Sequence, residues 1–290
     1  MSINRRDFLK VTGVALGSAL LPNLAARAAP AAQADESAIG MLYDATICVG
    51  CNACTNACRD WNGTAPEPDE RGAYDAPREL SADTWTMIQL YQGEGEYSFV
   101  KRQCMHCIEP ACVSGCPVQA LQKTAGGPVT YAPERCIGCR YCMYACPFHI
   151  PRFEWDEVIP VVAKCTLCAD RLSQGIGGPN CAEWCPTGAL VWGKRADLVA
   201  EAESRIAAGP DRYVDYVYGK EDAGGTSVLY LSGVSFDKIG FEELGAGPVP
   251  ELSEGTANIV LPGIILGGPI VLGLIRWVAK RGGWEESWPV

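Results

Sequence analysis

Two stretches of the chain are apolar without any polar alternation, and they lie at its two ends. The first, Val11 to Leu21, follows Arg5, Arg6 and Lys10 and precedes the small-residue pattern Ala26-Arg27-Ala28, which predicts a signal peptide over residues 1–28 rather than a folded element. The second, "IVLPGIILGGPIVLGLI" from Ile259 to Ile275, carries no charge and spans about 26 Å as a helix. With Trp277 to Ala279 added and Arg276 snorkelling, it predicts one transmembrane helix over 258–279; length alone also allows a buried core hairpin. Arg276, Lys280 and Arg281 put the tail, 280–290, in the cytoplasm and the body in the periplasm.

Between these ends the pattern is that of many short elements. Tyr43 to Ile47 reads as a strand, and "TWTMIQLY" alternates from Trp85 through Met87 to Gln89 as a strand does. Asn62 to Asp83 is rich in Pro, Glu, Asp and Gly, so residues 62–100 are taken as an insertion. "GGPVTYAPERC" reads as turn, strand, turn, and "VIPVVAKC" as a second extended approach to a cysteine. The recurring rhythm over residues 40–195 is strand, CxxC turn, short helix, as in a duplicated unit too small to bury a core alone. Beyond it lies a C-terminal extension, 196–257. Leu198, Val199, Ala202 and Ile206 are spaced as on a helix, with Asp197 as N-cap and Gly209-Pro210 as stop. "YVDYVYG" and "TSVLYLSGV" read as strands of a hairpin-like edge outside the cysteine-rich core.

Composition changes this picture in one respect. Of 290 residues sixteen are cysteine, and all of them fall between Cys48 and Cys185. They form four groups of four, at 48/51/54/58, 104/107/112/116, 136/139/142/146 and 165/168/181/185. Scattered cysteines in an exported chain suggest disulfides, but a CxxC on a tight turn aims its thiols at one point, which suits a shared metal better. The formal charge of −10, with no basic stripe, argues against nucleic acid as a partner.

The third group, "CIGCRYCMYACP", has the bacterial ferredoxin spacing, in which three thiolates surround one [4Fe-4S] cube and the fourth reaches a different one. The second group lengthens the gap between Cys107 and Cys112, the fourth widens it further, and the first has Arg59 where the others have proline. One such motif would leave structural zinc as a competitor; four in succession, three closing with Cys-Pro, favour cubes. Spacing alone leaves open which group pairs with which. "NRRDFLK" resembles the twin-arginine export motif, with Asn4 in place of the usual Ser or Thr, which implies export of an already folded protein.

On "GMLYDATICVGCNAC", "KRQCMHCIEPACVSGCPVQAL", "CIGCRYCMYACPF" and "KCTLC", with the leader and C-terminal span, the chain resembles the four-cluster ferredoxin-like iron–sulfur subunits of membrane-bound respiratory oxidoreductases. These are the formate dehydrogenase and dimethyl sulfoxide reductase iron–sulfur subunits, and the resemblance is greatest to that of hydrogenase-2 type periplasmic uptake hydrogenases. It implies an α+β fold of tandem bacterial-ferredoxin-like modules binding four [4Fe-4S] clusters. It further implies that the first group pairs with the fourth, and the second with the third. Cluster 1 would then be held by Cys48, Cys51, Cys54 and Cys185, and cluster 2 by Cys58, Cys165, Cys168 and Cys181. Cluster 3 would take Cys104, Cys107, Cys112 and Cys146, and cluster 4 Cys116, Cys136, Cys139 and Cys142.

The role implied is non-catalytic electron transfer between a periplasmic catalytic oxidoreductase, with hydrogenase large and small subunits as partners, and an integral membrane quinone-reactive subunit. A formate dehydrogenase or another molybdopterin oxidoreductase is the alternative, and a zinc- or disulfide-braced scaffold is the alternative of a different class. His106 and His149, the two histidines, are expected to pack or hydrogen-bond rather than ligate. Lys101, Arg102, Arg140 and Lys164 stand beside ligands, where they either raise cluster potentials or are solvated loop charges or partner salt bridges. Trp61, Tyr141, Tyr144 and Trp184 are expected to pack against clusters and exclude water. No nucleotide-binding glycine fingerprint, Ser-His-Asp pattern or carboxylate–histidine metal constellation is visible.

Overall fold

The structure, a computed structural model, describes residues 37–66, 79–93, 95–155 and 161–281. The expected signal peptide, part of the expected 62–100 insertion and nearly all of the expected tail lie outside the described residues.

Ala32–Pro250 forms one compact unit that contains every cysteine. Its centre is a three-stranded sheet in which β1 (Ile39–Asp44) lies between β8 (Leu190–Lys194), antiparallel to it, and β9 (Val228–Leu231), parallel to it. Both faces of this sheet are covered, so β1 reads as a continuous apolar run, "IGMLYD", with no polar alternation. Successive side chains still point to opposite faces. Met41 and Tyr43, with Leu190, Val228 and Tyr230, share one core with Cys54 and Cys181. Leu42, Leu229 and Leu231 pack instead on Leu198, Ala202 and Ile206 of α6 (Arg195–Ala208), a core that contains no cysteine.

Three expectations change here. The first strand runs from Ile39 to Asp44, because Asp44 turns back and accepts hydrogen bonds from the Thr46 amide and hydroxyl, ending the extended run. The α6 cap is Lys194 and not Asp197, since β8 feeds directly into the helix; Gly209 closes it, its amide donating to Arg205 and Ile206 carbonyls. The segment "TSVLYLSGV" supplies the sheet's edge strand but does not lie outside the cysteine-rich core, since Val228 and Tyr230 pack with Cys54 and Cys181. β9 is fully buried beside β1, while "YVDYVYG" contributes only the bridge Tyr218 to Tyr230.

Three two-stranded ribbons surround the sheet: β2 (Met87–Gln92) with β3 (Tyr97–Arg102), β4 (Leu121–Lys123) with β5 (Val129–Tyr131), and β6 (Arg152–Phe153) with β7 (Val162–Ala163). The β2–β3 hairpin, within the expected insertion, places Ile88 and Val100 in the cysteine-bearing core. Short helices complete the repeats: α1 (Ala53–Asn62), α2 (Ala111–Ser114), α3 (Tyr141–Ala145), α4 (Ala169–Gln174) and α5 (Asn180–Glu183). α1 packs on α5, and α2 on α3.

The last element is the long helix α7 (Val249–Arg281), which includes the whole apolar stretch from Ile259 to Ile275. Its described large side chains Ile264, Ile265, Ile270, Leu272, Leu274 and Trp277 are exposed. Among the described residues no helix meets the length and apolarity of a membrane span.

Candidate functional site

Each cysteine group is built on the same local plan. The third cysteine lies on a short helix, Cys54 on α1, Cys112 on α2, Cys142 on α3 and Cys181 on α5, and the fourth follows four residues later. Two residues after the first cysteine the backbone is left-handed every time: Gly50 at φ 68°, His106 at 48°, Gly138 at 67° and Leu167 at 56°. That bend curls the CxxC loop so that amides face sulfur, as in Gly50 N–H to Cys48 Sγ at 3.5 Å and Leu167 N–H to Cys165 Sγ at 3.4 Å. Glycine supplies the bend without strain in two groups, and in the other two the surrounding structure imposes it.

The Cys-Pro endings have a shared geometry too. The amides of Gln119, His149 and Gly188 donate to the carbonyls of Cys116, Cys146 and Cys185 at 3.2, 3.1 and 3.4 Å, closing a turn with proline at its second position. The donors have φ of 53°, 51° and 68°, so the chain reverses and leaves the fourth cysteine at the reversal. In the first group, with Arg59 in place of proline, α1 continues to Asn62 and ends at Gly63. There the Asn62 carboxamide donates to Cys58 Sγ at 3.5 Å. The long gap of the fourth group is filled by α4 and by Pro179, which starts α5 as Pro110 starts α2.

Side chains bind the first group to the fourth. Asn180 Nδ2 donates to the Ala57 carbonyl at 2.8 Å, and Trp61 Nε1 to Asp170 Oδ2 at 2.8 Å. The Arg171 guanidinium lies 4.5 Å over the Trp61 ring and pairs with Glu183 at 2.6 Å. Cys58, Cys165, Cys168 and Cys181 line one small cavity. Gln103 lines it as well, only 1 % exposed, with neither carboxamide atom partnered among the described residues.

The electrostatic neighbours of the thiols fall into sets. Burial, then Cys181, Cys168 and Cys54, push the Cys58 thiol up to about 12. Burial raises Cys107 well above its ordinary value, with Cys146, Cys104 and Cys112 adding to it. Cys142 is pushed up to about 12 by burial, then by Cys139, Cys116 and Cys136. Burial raises Cys48, and Cys54 and Cys185 contribute to the rise. At Cys185 burial is outweighed by amide and hydroxyl donors from Leu190, Thr187 and Ala189, and the thiol is held below its ordinary value. Crowded, buried sulfurs that repel one another as thiolates are stabilised by a cationic iron core, and ligation there releases protons. The donor set therefore fits [4Fe-4S] groups, and the orphaned carboxamide of Gln103 fits an acceptor that the protein itself does not supply. All sixteen cysteines are free thiols, and among the described residues no three Cys, His, Asp or Glu side chains gather closely enough for a single metal ion.

The remaining candidates separate. Lys101 and Lys164 are buried and are not solvated charges; Lys164 Nζ donates to the Val129 and Cys165 carbonyls at 2.7 and 3.0 Å. Arg102 is half-buried over Phe241 at 4.5 Å, and Arg140 lies 4.2 Å from the Trp155 ring centre. His106 is buried, its Nδ1 accepting from the Val129 amide at 2.9 Å, whereas His149 is exposed beside Glu242. Tyr141, Tyr144 and Trp184 are exposed.

Residues 95–195 match the 4Fe-4S dicluster domain family. A protein of Nitratidesulfovibrio vulgaris is 41% identical over 294 residues, covering 96% of this chain and 78% of its own length. The hydrogenase-2 operon protein HybA of Escherichia coli O157:H7 is 35% identical over 315 residues, with 96% of each chain covered. The chain belongs to the HybA and formate dehydrogenase iron–sulfur subunit family. In that family the iron–sulfur subunit of the nitrate-inducible formate dehydrogenase of E. coli K12 is 39% identical over 204 residues, 68% of each chain. Membership makes this protein a [4Fe-4S] electron-transfer subunit and not a catalytic one.

Proposed function

We propose that the protein carries electrons along four [4Fe-4S] cubes between a periplasmic nickel–iron hydrogenase and an integral membrane quinone-reactive subunit. The ligand sets are the four already given: Cys48, Cys51, Cys54 and Cys185; Cys58, Cys165, Cys168 and Cys181; Cys104, Cys107, Cys112 and Cys146; Cys116, Cys136, Cys139 and Cys142. Their order as a wire is supported by the thiols that meet across sets. Cys54 shares a core with Cys181, Cys165 with Cys104 and Cys146, and Cys112 with Cys142. When bound, each cube accepts or donates one electron; the chain holds it, keeps water from the inner pair, and leaves the outer pair reachable.

The observation that carries the reading is where exposure falls. Cys51 and Cys139, in the first and last sets, are exposed, and beside them Val49 and Ile137 present apolar side chains to the surface. In the second set every thiol is buried. A relay with two partners needs accessible ends and an insulated middle. Hydrogenase is favoured over formate dehydrogenase as the catalytic partner because the similarity to HybA runs through 96% of both chains.

The body stands on the periplasmic face, exported by the twin-arginine route and anchored by α7 as a single span. The exposed isoleucines and leucines of that helix support the anchor, since an apolar helix of this kind is otherwise stable only inside a core. Iron and acid-labile sulfide on the purified complex test the function. About sixteen of each per chain is expected, four per cube, with nickel in the partner. Zinc with no labile sulfide would overturn the wire, and molybdenum or tungsten without nickel would move it to the formate dehydrogenase reading.

A further inference from the structure

Lys101, near the end of β3, is wholly excluded from solvent. Its ammonium donates to the Thr86 hydroxyl, itself buried, and no carboxylate among the described residues forms an ion pair with it. A buried cation without a counter-charge is unfavourable and would otherwise lose its proton. The Thr86 hydroxyl that holds it lines one cavity with Cys58 and Cys181 of the second set. Val100, the residue before it in β3, packs in one core with Cys54 of the first set and Cys181 of the second.

We propose that Lys101 is the shared counter-charge of the first two cubes, raising the reduction potential of both. This rests on the four-cube reading. Each cube gains one negative charge when an electron arrives, and a fixed cation stabilises that state over the oxidised one. Thr86 holds the ammonium in place, so the stabilisation needs no rearrangement as the electron moves. Lys101 touches no reacting bond and is a positioning residue for charge.

The test is a potentiometric titration of the purified membrane complex, followed by electron paramagnetic resonance. Iron and sulfide are counted first; a wild-type preparation short of four cubes overturns the cluster reading independently of Lys101. Cys185→Ser, which alters the first set alone, identifies the signals of that cube and of its coupled neighbour. In Lys101→Met these two cubes are expected to become at least tenfold harder to reduce, about 59 mV for a one-electron couple, with the other two unmoved. Lys101→Arg, which keeps the charge, is expected to restore most of the potential. Thr86→Val retains the lysine but frees it, giving a smaller shift in the same two cubes, and it decides the matter if Lys101→Met fails to assemble. Unchanged potentials in assembled Lys101→Met, or in Thr86→Val when that is the variant available, overturn the proposal. So does a shift of equal size in all four cubes.

Discussion

Gly50 and Gly63 have nearly the same backbone, φ 68° and 67°, but different surroundings. A methyl group at Gly63 meets no atom within 4 Å, whereas at Gly50 it would stand 2.3 Å from the Phe99 ring. Gly63→Ala therefore costs only the left-handed strain, about 1–2 kcal/mol. Gly50→Ala adds displacement of an aromatic side chain that packs on the sheet core, another ~1–3 kcal/mol. The expected outcome is that visible cluster absorbance bleaches on heating at a distinctly lower temperature in Gly50→Ala than in Gly63→Ala. Equal bleaching would mean that Phe99 moves aside freely. The residue scale also explains proline in three groups and its absence in the first. Proline belongs to a reversal that releases the fourth cysteine from its helix, while Cys58 stays on a helix that runs on for another turn. Asn62 then gives the sulfur a side-chain donor, where Cys116 accepts instead from the backbone amide of Ala120 at 3.2 Å.

At the scale of elements, the two faces of the central sheet make separable predictions. Leu229 on β9 is fully buried against α6 in a core without cysteine. Leu229→Ala is expected to destabilise the unit by about 2–5 kcal/mol while iron content and potentials stay as in the wild type. Val228, its neighbour in sequence, points into the core that contains Cys54 and Cys181, and shortening it is expected to alter cluster stability as well. Iron counts and denaturant midpoints on the two variants check the contrast; parallel losses of iron would refute it. How much of this was legible in the sequence depended on periodicity. α6 announced itself because Leu198, Ala202 and Ile206 recur on one face, and the cysteine loops because ligand spacing is a local property. β1 and β9 did not. Strands buried on both faces show no alternation, and their partnership joins segments about 190 residues apart in sequence, which no local pattern records. The depth of Lys101 was hidden for the same reason: a lysine beside an apolar strand end looks like surface until the fold buries it against Thr86.

At the scale of the whole molecule, Ala32–Pro250 contains all its own apolar cores and all sixteen cysteines, and α7 belongs to a second unit. A chain ending at Pro250 should therefore fold, keep about sixteen iron, and show the same cluster signals, yet fractionate with the soluble proteins when expressed without its partner subunits. The physical argument is that cluster ligation and apolar burial stabilise the body locally, while the exposed isoleucines and leucines of α7 gain only from a lipid or protein surround. Replacing Arg5 and Arg6 with lysine in the full chain separates export from anchoring. On the proposed twin-arginine route, where assembly precedes transport, that variant should assemble its cubes but remain on the cytoplasmic side, where added protease reaches the body only in inside-out vesicles. Truncated protein that stays in the membrane fraction on its own would place the anchor in the body instead of in α7. Cubes missing from the lysine variant would show that maturation depends on export, the reverse of what a folded-protein export route requires.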